Sequence, residues 1–234
     1  MKAILLAAGE GTRLRPLTET IPKCLVPIHE KPLLWYWLEL LTKHSVKDVI
    51  INTSYLSEQV ASFLDAYNSD KLNIEISHEE NLLGTAGTIE NNQHFIGCDP
   101  FFCIHADNLT DANLTEMMHV HQHRPSNCIM TMLSFVTDDP QSCGILELDD
   151  QGVVTGFHEK VVSPPGNTAN GAVYIFESDI IDRIINLPSG LKDISMQILP
   201  DLIGKIQTYK HDGYHRDIGN LKSLERARRS YSNG

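Results

Sequence analysis

Over its first 105 residues the chain alternates short apolar runs with amphipathic stretches, and no other feature restricts the fold as strongly. Residues 3–7, 49–52, 74–77 and 101–105 are short and mostly apolar, as expected of strands buried in a sheet. Between them, Leu34, Trp37, Leu38 and Leu41 recur at helical spacing after Pro32. Val60, Phe63 and Leu64 do the same after Ser57, which reads as a helix cap. Strand followed by helix, three times over, implies right-handed crossovers and a parallel sheet.

Beyond about residue 125 the pattern changes. Residues 128–136, 144–148, 153–158 and 172–176 read as strands with few helices between them, and Asp150-Gln151-Gly152 signals a hairpin turn. A helix-rich stretch over 180–203, a strand at 206–209 and a closing helix over 221–229 follow. Pro164-Pro165-Gly166-Asn167 reads as the clearest flexible loop. The expected fold is α/β: a Rossmann-like, mostly parallel mixed sheet flanked by helices, with a smaller antiparallel part. Its 234 residues suit one domain, divided into parts over 1–125 and 126–234 that share a core.

Lys+Arg 19 against Asp+Glu 30 leaves a formal charge of -11, which disfavours nucleic acid and acidic membranes as partners. An anionic ligand therefore requires a local basic cluster. The five cysteines are odd in number and form no C-x-x-C pair, so reduced, buried thiols are expected. The opening apolar run is cut short at Gly9, arguing against a cleaved leader, and residues 33–41 fall well short of a membrane span. A cytoplasmic location is the default expectation.

The first strand runs into Ala8-Gly9-Glu10-Gly11-Thr12-Arg13-Leu14-Arg15-Pro16, where two glycines allow backbone amides to approach a phosphate. The dinucleotide pattern G-x-G-x-x-G fails because position 14 is leucine, and no Gly-Lys-Ser or Gly-Lys-Thr marks a Walker loop. What remains is a glycine turn followed by Arg13, Arg15 and Pro22-Lys23. That cluster meets the requirement set by the acidic total, although a glycine turn beside cations also suits an ordinary surface loop.

Gly11-Thr12-Arg13-Leu14 with Pro22-Lys23 resembles the opening of the sugar-1-phosphate nucleotidyltransferases. The resemblance extends over nearly the whole chain. Leu83-Gly84-Thr85-Ala86-Gly87 is similar to that family's base-recognition loop, Ala106-Asp107 to its first metal aspartate and Asp217-Ile218-Gly219 to its second metal motif. Gly144 matches a backbone contact to the sugar, and Phe157-His158-Glu159-Lys160 the Glu-Lys sugar-phosphate motif. Asn170-Gly171-Ala172-Val173-Tyr174 matches the Asn-x-Gly-x-Tyr strand loosely. Two departures stand out: Ala106 replaces the usual glycine, and, with the sequence ending at Gly234, the left-handed β-helix of some relatives is not expected.

The resemblance implies specific roles. Ala8, Gly9, Gly11 and Thr12 would hold the nucleotide, with Arg13 taking the leaving pyrophosphate and Lys23 neutralising the reacting phosphates. Gly84 and Thr85 would contact the base. Gly144, Glu159, Lys160 and Asn170 would bind the sugar phosphate, and Asp107 and Asp217 would hold Mg2+. The implied parts are then nucleotide-binding over 1–125 and sugar-phosphate-binding over 126–234.

The chemistry is consistent with these residue types. A phosphate monoester, with a second pKa of about 6, is already ionised at neutral pH and needs no Ser, His or Cys activation. Charge compensation and in-line placement are the principal demands. Magnesium suits them, since it is commonly held by one or two carboxylates plus substrate phosphates. Taken singly, Asp107 and Asp217 could equally be helix caps. Glu159 suits sugar hydroxyls and Lys160 the sugar phosphate, though an exposed Glu-Lys pair is often idle.

Base choice is expected within residues 78–85. A carboxylate there, Glu80 or Glu79, can accept from the ring N–H and exocyclic amine of guanine together, although both could be solvated loop charges. This favours GTP with mannose 1-phosphate. The alternatives are uridylyl or thymidylyl transfer to a heptose, hexose or amino-sugar 1-phosphate, or a non-catalytic homologue that binds nucleotide sugar. A homo-oligomer is compatible with either outcome. In His119-Val120-His121-Gln122-His123 the imidazoles of His119 and His123 stand at i and i+4, but Val120 replaces the glutamate of a zinc protease and the stretch reads as an exposed helix end, while Trp35, Tyr36 and Trp37 read as core.

Overall fold

The computed structural model describes residues 1–67 and 70–231. In chain order its strands are β1 (Lys2–Leu6), β2 (Pro27–Ile28), β3 (Lys31–Pro32), β4 (Asp48–Thr53), β5 (Asn73–His78), β6 (Phe101–His105), β7 (Asn108–Thr110), β8 (Met130–Val136), β9 (Gly144–Leu148), β10 (Val154–Glu159), β11 (Thr168–Phe176), β12 (Ile206–Lys210) and β13 (His215–Asp217). Its α-helices are α1 (Leu33–Lys43), α2 (Ser57–Tyr67), α3 (Thr85–Asn91), α4 (Gln93–Ile96), α5 (Leu114–Gln122), α6 (Ile180–Ile185) and α7 (Leu221–Ser230). The fold is α/β with parallel and antiparallel strands flanked by helices, as the alternation implies. The chain divides into two compact units: Met1–Leu82, Ile104–Ala112 and Gly213–Gly234 form the first, Leu83–Cys103 and Asn113–Asp212 the second.

In the first unit, β1 pairs in parallel with β4 and β4 with β5, Lys2 facing Asp48 and Asp48 facing Asn73. The apolar β1 and β4 are buried along most of their length, whereas β5 is largely exposed. A second core gathers Leu14, Val26, Ile28, Leu33, Tyr36, Leu109, Ile218, Leu224 and Ala227. It packs α7 and the glycine turn against the short β7–β13 ladder, in which Asp217 faces Asn108. Buried Trp37 donates its indole N–H to the Asn108 carbonyl at 2.8 Å, tying α1 to that ladder.

In the second unit, β8 lies antiparallel to β11 and parallel to β12, while β9 pairs antiparallel with β10 and β11. The expected hairpin turn is present: the Asp149 carboxylate accepts from Gln151 and Val153 N–H groups at 2.9 Å, and Gly152 takes φ +77°. Two expectations need adjustment. β11 begins at Thr168 rather than 172, its register interrupted between Asn170 and Tyr174. The 180–203 stretch is mostly not α-helix, because Pro188, Gly190 and Pro200 limit it to α6 and two short turns, Ile194–Ile198 and Pro200–Leu202.

His121 also departs from the exposed helix end. It is 2% exposed, with Nδ1 2.9 Å from the Thr131 hydroxyl and Nε2 3.3 Å from Glu177, which also pairs with Arg124. Of the cysteines, Cys24, Cys103 and Cys128 are buried, but Cys98 is exposed and Cys143 half-buried. Burial pushes the Cys24 thiol up to about 12. Among the described residues, no helix is long and apolar enough to cross a membrane.

Candidate active site

In the first unit the chain leaves β1 at Leu6 and turns through the glycine loop. The Ala7 N–H donates to the Asn52 side-chain carbonyl at 2.6 Å, and the Asn52 amide donates to Glu79 at 2.9 Å. This relay fixes where the loop departs. Gly11 adopts φ +64°, and a Cβ there would lie 3.0 Å from Thr18 and 3.1 Å from Lys23. The Thr18 hydroxyl and the Leu14 N–H both donate to the Gly11 carbonyl, at 2.7 and 2.8 Å. Gly9, by contrast, faces open space. The loop is thus anchored at Gly11 while Gly9, Glu10, Thr12 and Arg13 remain exposed and Ala8 is buried.

Lys23 is drawn inward, its side chain only 11% exposed, and its ammonium pairs with the Asp107 carboxylate. Burial would raise the Asp107 pKa, but the charges of Lys23 and His105, with hydrogen bonds from Lys23 and the backbone, outweigh it and hold the carboxyl below its ordinary range. Asp107 lies beyond β6, and the Ala106 N–H reaches the Leu6 carbonyl at 3.1 Å, so β1 and β6 bring their carboxyl ends together. Ligands of open α/β sheets gather at such ends.

Asp217, 110 residues further on, is brought alongside by β13: the Ile218 N–H donates to the Asp107 carbonyl at 2.9 Å. A Cβ at Gly219 would lie 2.7 Å from Asp217 and 3.2 Å from the Arg13 guanidinium, so both side chains close over that glycine. Neither aspartate caps a helix: Asp107 lies between β6 and β7, and Asn220 caps α7 by accepting from the Ser223 N–H at 2.9 Å. Four expected residues, Arg13, Lys23, Asp107 and Asp217, therefore occupy one locality of the first unit. Glu80 is exposed beyond β5, whereas neighbouring Glu79 is buried and engaged by Asn52 rather than solvated.

In the second unit, Gly144 at the start of β9 faces Glu159 at the end of β10. A Cβ on Gly144 would lie 2.6 Å from both the Glu159 carboxylate and the Phe157 ring. Lys160 follows with φ +49°, its ammonium 2.9 Å from Glu159 and its side chain 56% exposed. Asn170, at the irregularity in β11, donates to the buried Tyr174 hydroxyl at 2.8 Å and accepts from the Ala172 N–H at 2.8 Å. Burial pushes the Tyr174 phenol up, so it remains neutral. Gly84 and Thr85 open α3 in the same unit, against residues 192–194.

Sequence reasoning missed the supports. Asn52 is a polar residue ending an apolar strand, a detectable signal. Thr18 and the 192–194 contact carry no local pattern.

Two carboxylates fit a hard divalent cation that takes its remaining oxygens from phosphates and water. Among the described residues no cluster of three His, Cys, Asp or Glu could hold a metal unaided.

A glycine turn after β1, two cations, and two carboxylates, one beyond β6 and one ending β13, are groups that would suit a phosphate-handling class of α/β protein. The comparisons with known proteins agree with that class: the nucleotidyl transferase family model matches residues 2–234. The chain belongs to that family. It is 33% identical over 217 residues to a Synechocystis sp. UTP–glucose-1-phosphate uridylyltransferase, covering 87% of this chain and 55% of the relative. It is 32% identical over 231 residues to a Candida albicans mannose-1-phosphate guanyltransferase, covering 96% and 62%. The chain thus spans little more than half the length of these relatives. A Bacillus anthracis structure, provisionally assigned as a glucose-1-phosphate thymidylyltransferase and holding sucrose, superposes with a TM-score of 0.89 at 24% identity, covering 100% of this chain and 97% of the other. A UDP-glucose pyrophosphorylase structure with UDP-glucose gives 0.82 at 23% identity, covering 98% and 97%. These two likenesses concern the fold.

Proposed function

We propose that the chain is a sugar-1-phosphate nucleotidyltransferase, with GTP and mannose 1-phosphate as its favoured pair. The observation that carries this reading is the convergence of Arg13, Lys23, Asp107 and Asp217 beside the glycine turn. A phosphate oxygen of the sugar 1-phosphate bonds to the α-phosphorus of the nucleoside triphosphate, and the bond from that phosphorus to the bridging oxygen breaks, releasing pyrophosphate. No proton need be removed first, because the nucleophile is already anionic.

What the protein must do is hold two polyanions together. Lys23, held in place by Asp107, offers a partly desolvated ammonium to the reacting phosphates. Arg13, exposed beside Gly219, is placed to take the pyrophosphate, since guanidinium suits bidentate phosphate contacts. The backbone around Gly9 offers open N–H groups to the nucleotide. Glu159 accepts from sugar hydroxyls and Lys160 neutralises the sugar phosphate. Asp107 and Asp217 would hold Mg2+, which supplies charge neutralisation and Lewis acidity when bound.

Guanylyl transfer is supported by the carboxylate Glu80 beyond β5 and by relatives named as mannose-1-phosphate guanyltransferases. Uridylyl transfer is the second reading, favoured by the uridylyltransferase relative. Pyrophosphate release should be measured with GTP, UTP, dTTP and ATP against mannose, glucose and heptose 1-phosphates. Release greatest with GTP and mannose 1-phosphate is expected. No release from any pair, with nucleotide sugar still bound, would sink the enzymatic reading in favour of a binding homologue.

A further inference from the structure

Residues 83–88, a loop that runs into the first turn of α3, are held by a second segment of the same unit, residues 192–194, to which nothing above assigns a role. The Lys192 carbonyl accepts from the Ala86 and Gly87 N–H groups at 2.9 and 3.3 Å, and the Lys192 N–H donates to the Leu83 carbonyl at 3.0 Å. A Cβ on Gly84, whose φ is +82°, would lie 2.3 Å from the Lys192 carbonyl, so glycine is required for the two backbones to approach this closely. Thr85 completes the junction: its hydroxyl donates to the Asp193 carboxylate at 3.2 Å and accepts from the Ile194 N–H at 2.8 Å.

The side chains reinforce this backbone contact. The Lys192 ammonium, 11% exposed, is 2.6 Å from Glu90 on α3 and 2.9 Å from the Ile184 carbonyl at the end of α6. A buried ammonium is costly unless paired, so Lys192 is held in one arrangement and its backbone with it. The Asp193 carboxylate also accepts from the Met196 N–H at 2.9 Å, which couples the Ile194–Ile198 turn to Thr85.

We infer that Lys192 and Asp193 are positioning residues for nucleotide selection, holding the 83–88 loop in the conformation that meets the base of the nucleoside triphosphate. This rests on the proposed nucleotidyltransferase function and on the base-recognition role that the family resemblance implies for Gly84 and Thr85. Neither side chain is assigned to a substrate; each acts through Thr85 or α3.

The test uses three variants. Asp193→Ala removes the contact to Thr85, Asp193→Asn keeps an acceptor there, and Lys192→Ala removes the ammonium bridge while leaving the Asp193 contacts in place. For Asp193→Ala and Lys192→Ala, KM for GTP should rise about tenfold, the scale of one lost charge-assisted hydrogen bond. KM for the sugar 1-phosphate and kcat should change less than about threefold, and Asp193→Asn should recover most of the loss. Hydrogen exchange with GTP and magnesium alone should show amides 84–88 protected in the wild type and less so in the two alanine variants. Unchanged KM for GTP, or a fall of kcat with a parallel rise of both KM values that Asp193→Asn does not rescue, would overturn the inference. If the wild type releases no pyrophosphate from any pair, the functional reading fails. Amide protection by GTP then decides the loop's support separately: its loss in Asp193→Ala sustains that support, and its retention rejects it.

Discussion

Arg13 and Asp217 each directly precede a fully buried residue, Leu14 and Ile218, in one shared core. A polar group beside such an anchor is placed by packing rather than by its own contacts. Asp217→Ala should therefore lower kcat by about 100-fold, the scale of one lost electrostatic stabiliser, while the folded circular dichroism spectrum persists. Full activity in the folded variant would reject the two-carboxylate site. Lys160 is more than half exposed, so Lys160→Ala should leave stability unchanged and raise KM for the sugar 1-phosphate about tenfold. An unaltered KM would remove Lys160 from the sugar-phosphate contact. These side chains were legible because they sit within compact motifs. Glu79 was not legible as a support, since its partner Asn52 lies on a different strand.

At the scale of elements, the longer strands and α1, α2 and α7 followed from apolar spacing, but the short β7–β13 ladder, the break-up of 180–203 and the strand ends did not. β11 begins before 172 because its partners β8 and β9 extend its pairing, with the Asn170 side chain bridging Ala172 and Tyr174 across the irregularity. Gly144 has meaning only in the β9–β10 ladder, where Glu159 and Phe157 occupy the space of a side chain. Gly144→Ala should destabilise the protein by about 1–3 kcal/mol, as overpacking does, visible as a lower urea midpoint. It should also raise KM for the sugar 1-phosphate by displacing Glu159. α7 is held at its start by the Asn220 cap and along its face by Leu224 and Ala227. Asn220→Ala should lower stability by about 1 kcal/mol, read from the same denaturant titration.

For the molecule as a whole, the buried His121 makes stability depend on pH. Burial, then the charge of Arg124, lowers its pKa from the ordinary 6.5 to about 4, against the opposing pull of Glu177. The folded state therefore takes up this proton less readily than the unfolded chain. Its contribution is fully present above about pH 6.5 and is lost as pH falls toward about 4, flattening below. Thermal midpoints measured across that window should fall less steeply for His121→Gln than for wild type; identical slopes would contradict the assignment. From the sequence alone came the α/β class, the glycine turn and the residue types able to handle phosphate, because local propensity and short-range spacing are written in neighbouring residues. Tertiary structure alone decided that Asp107 and Asp217 lie side by side, that Lys23 is drawn against Asp107, and that residues 192–194 grip the 83–88 loop. Those contacts join positions tens to more than a hundred residues apart, and only packing of buried side chains determines which distant segments meet.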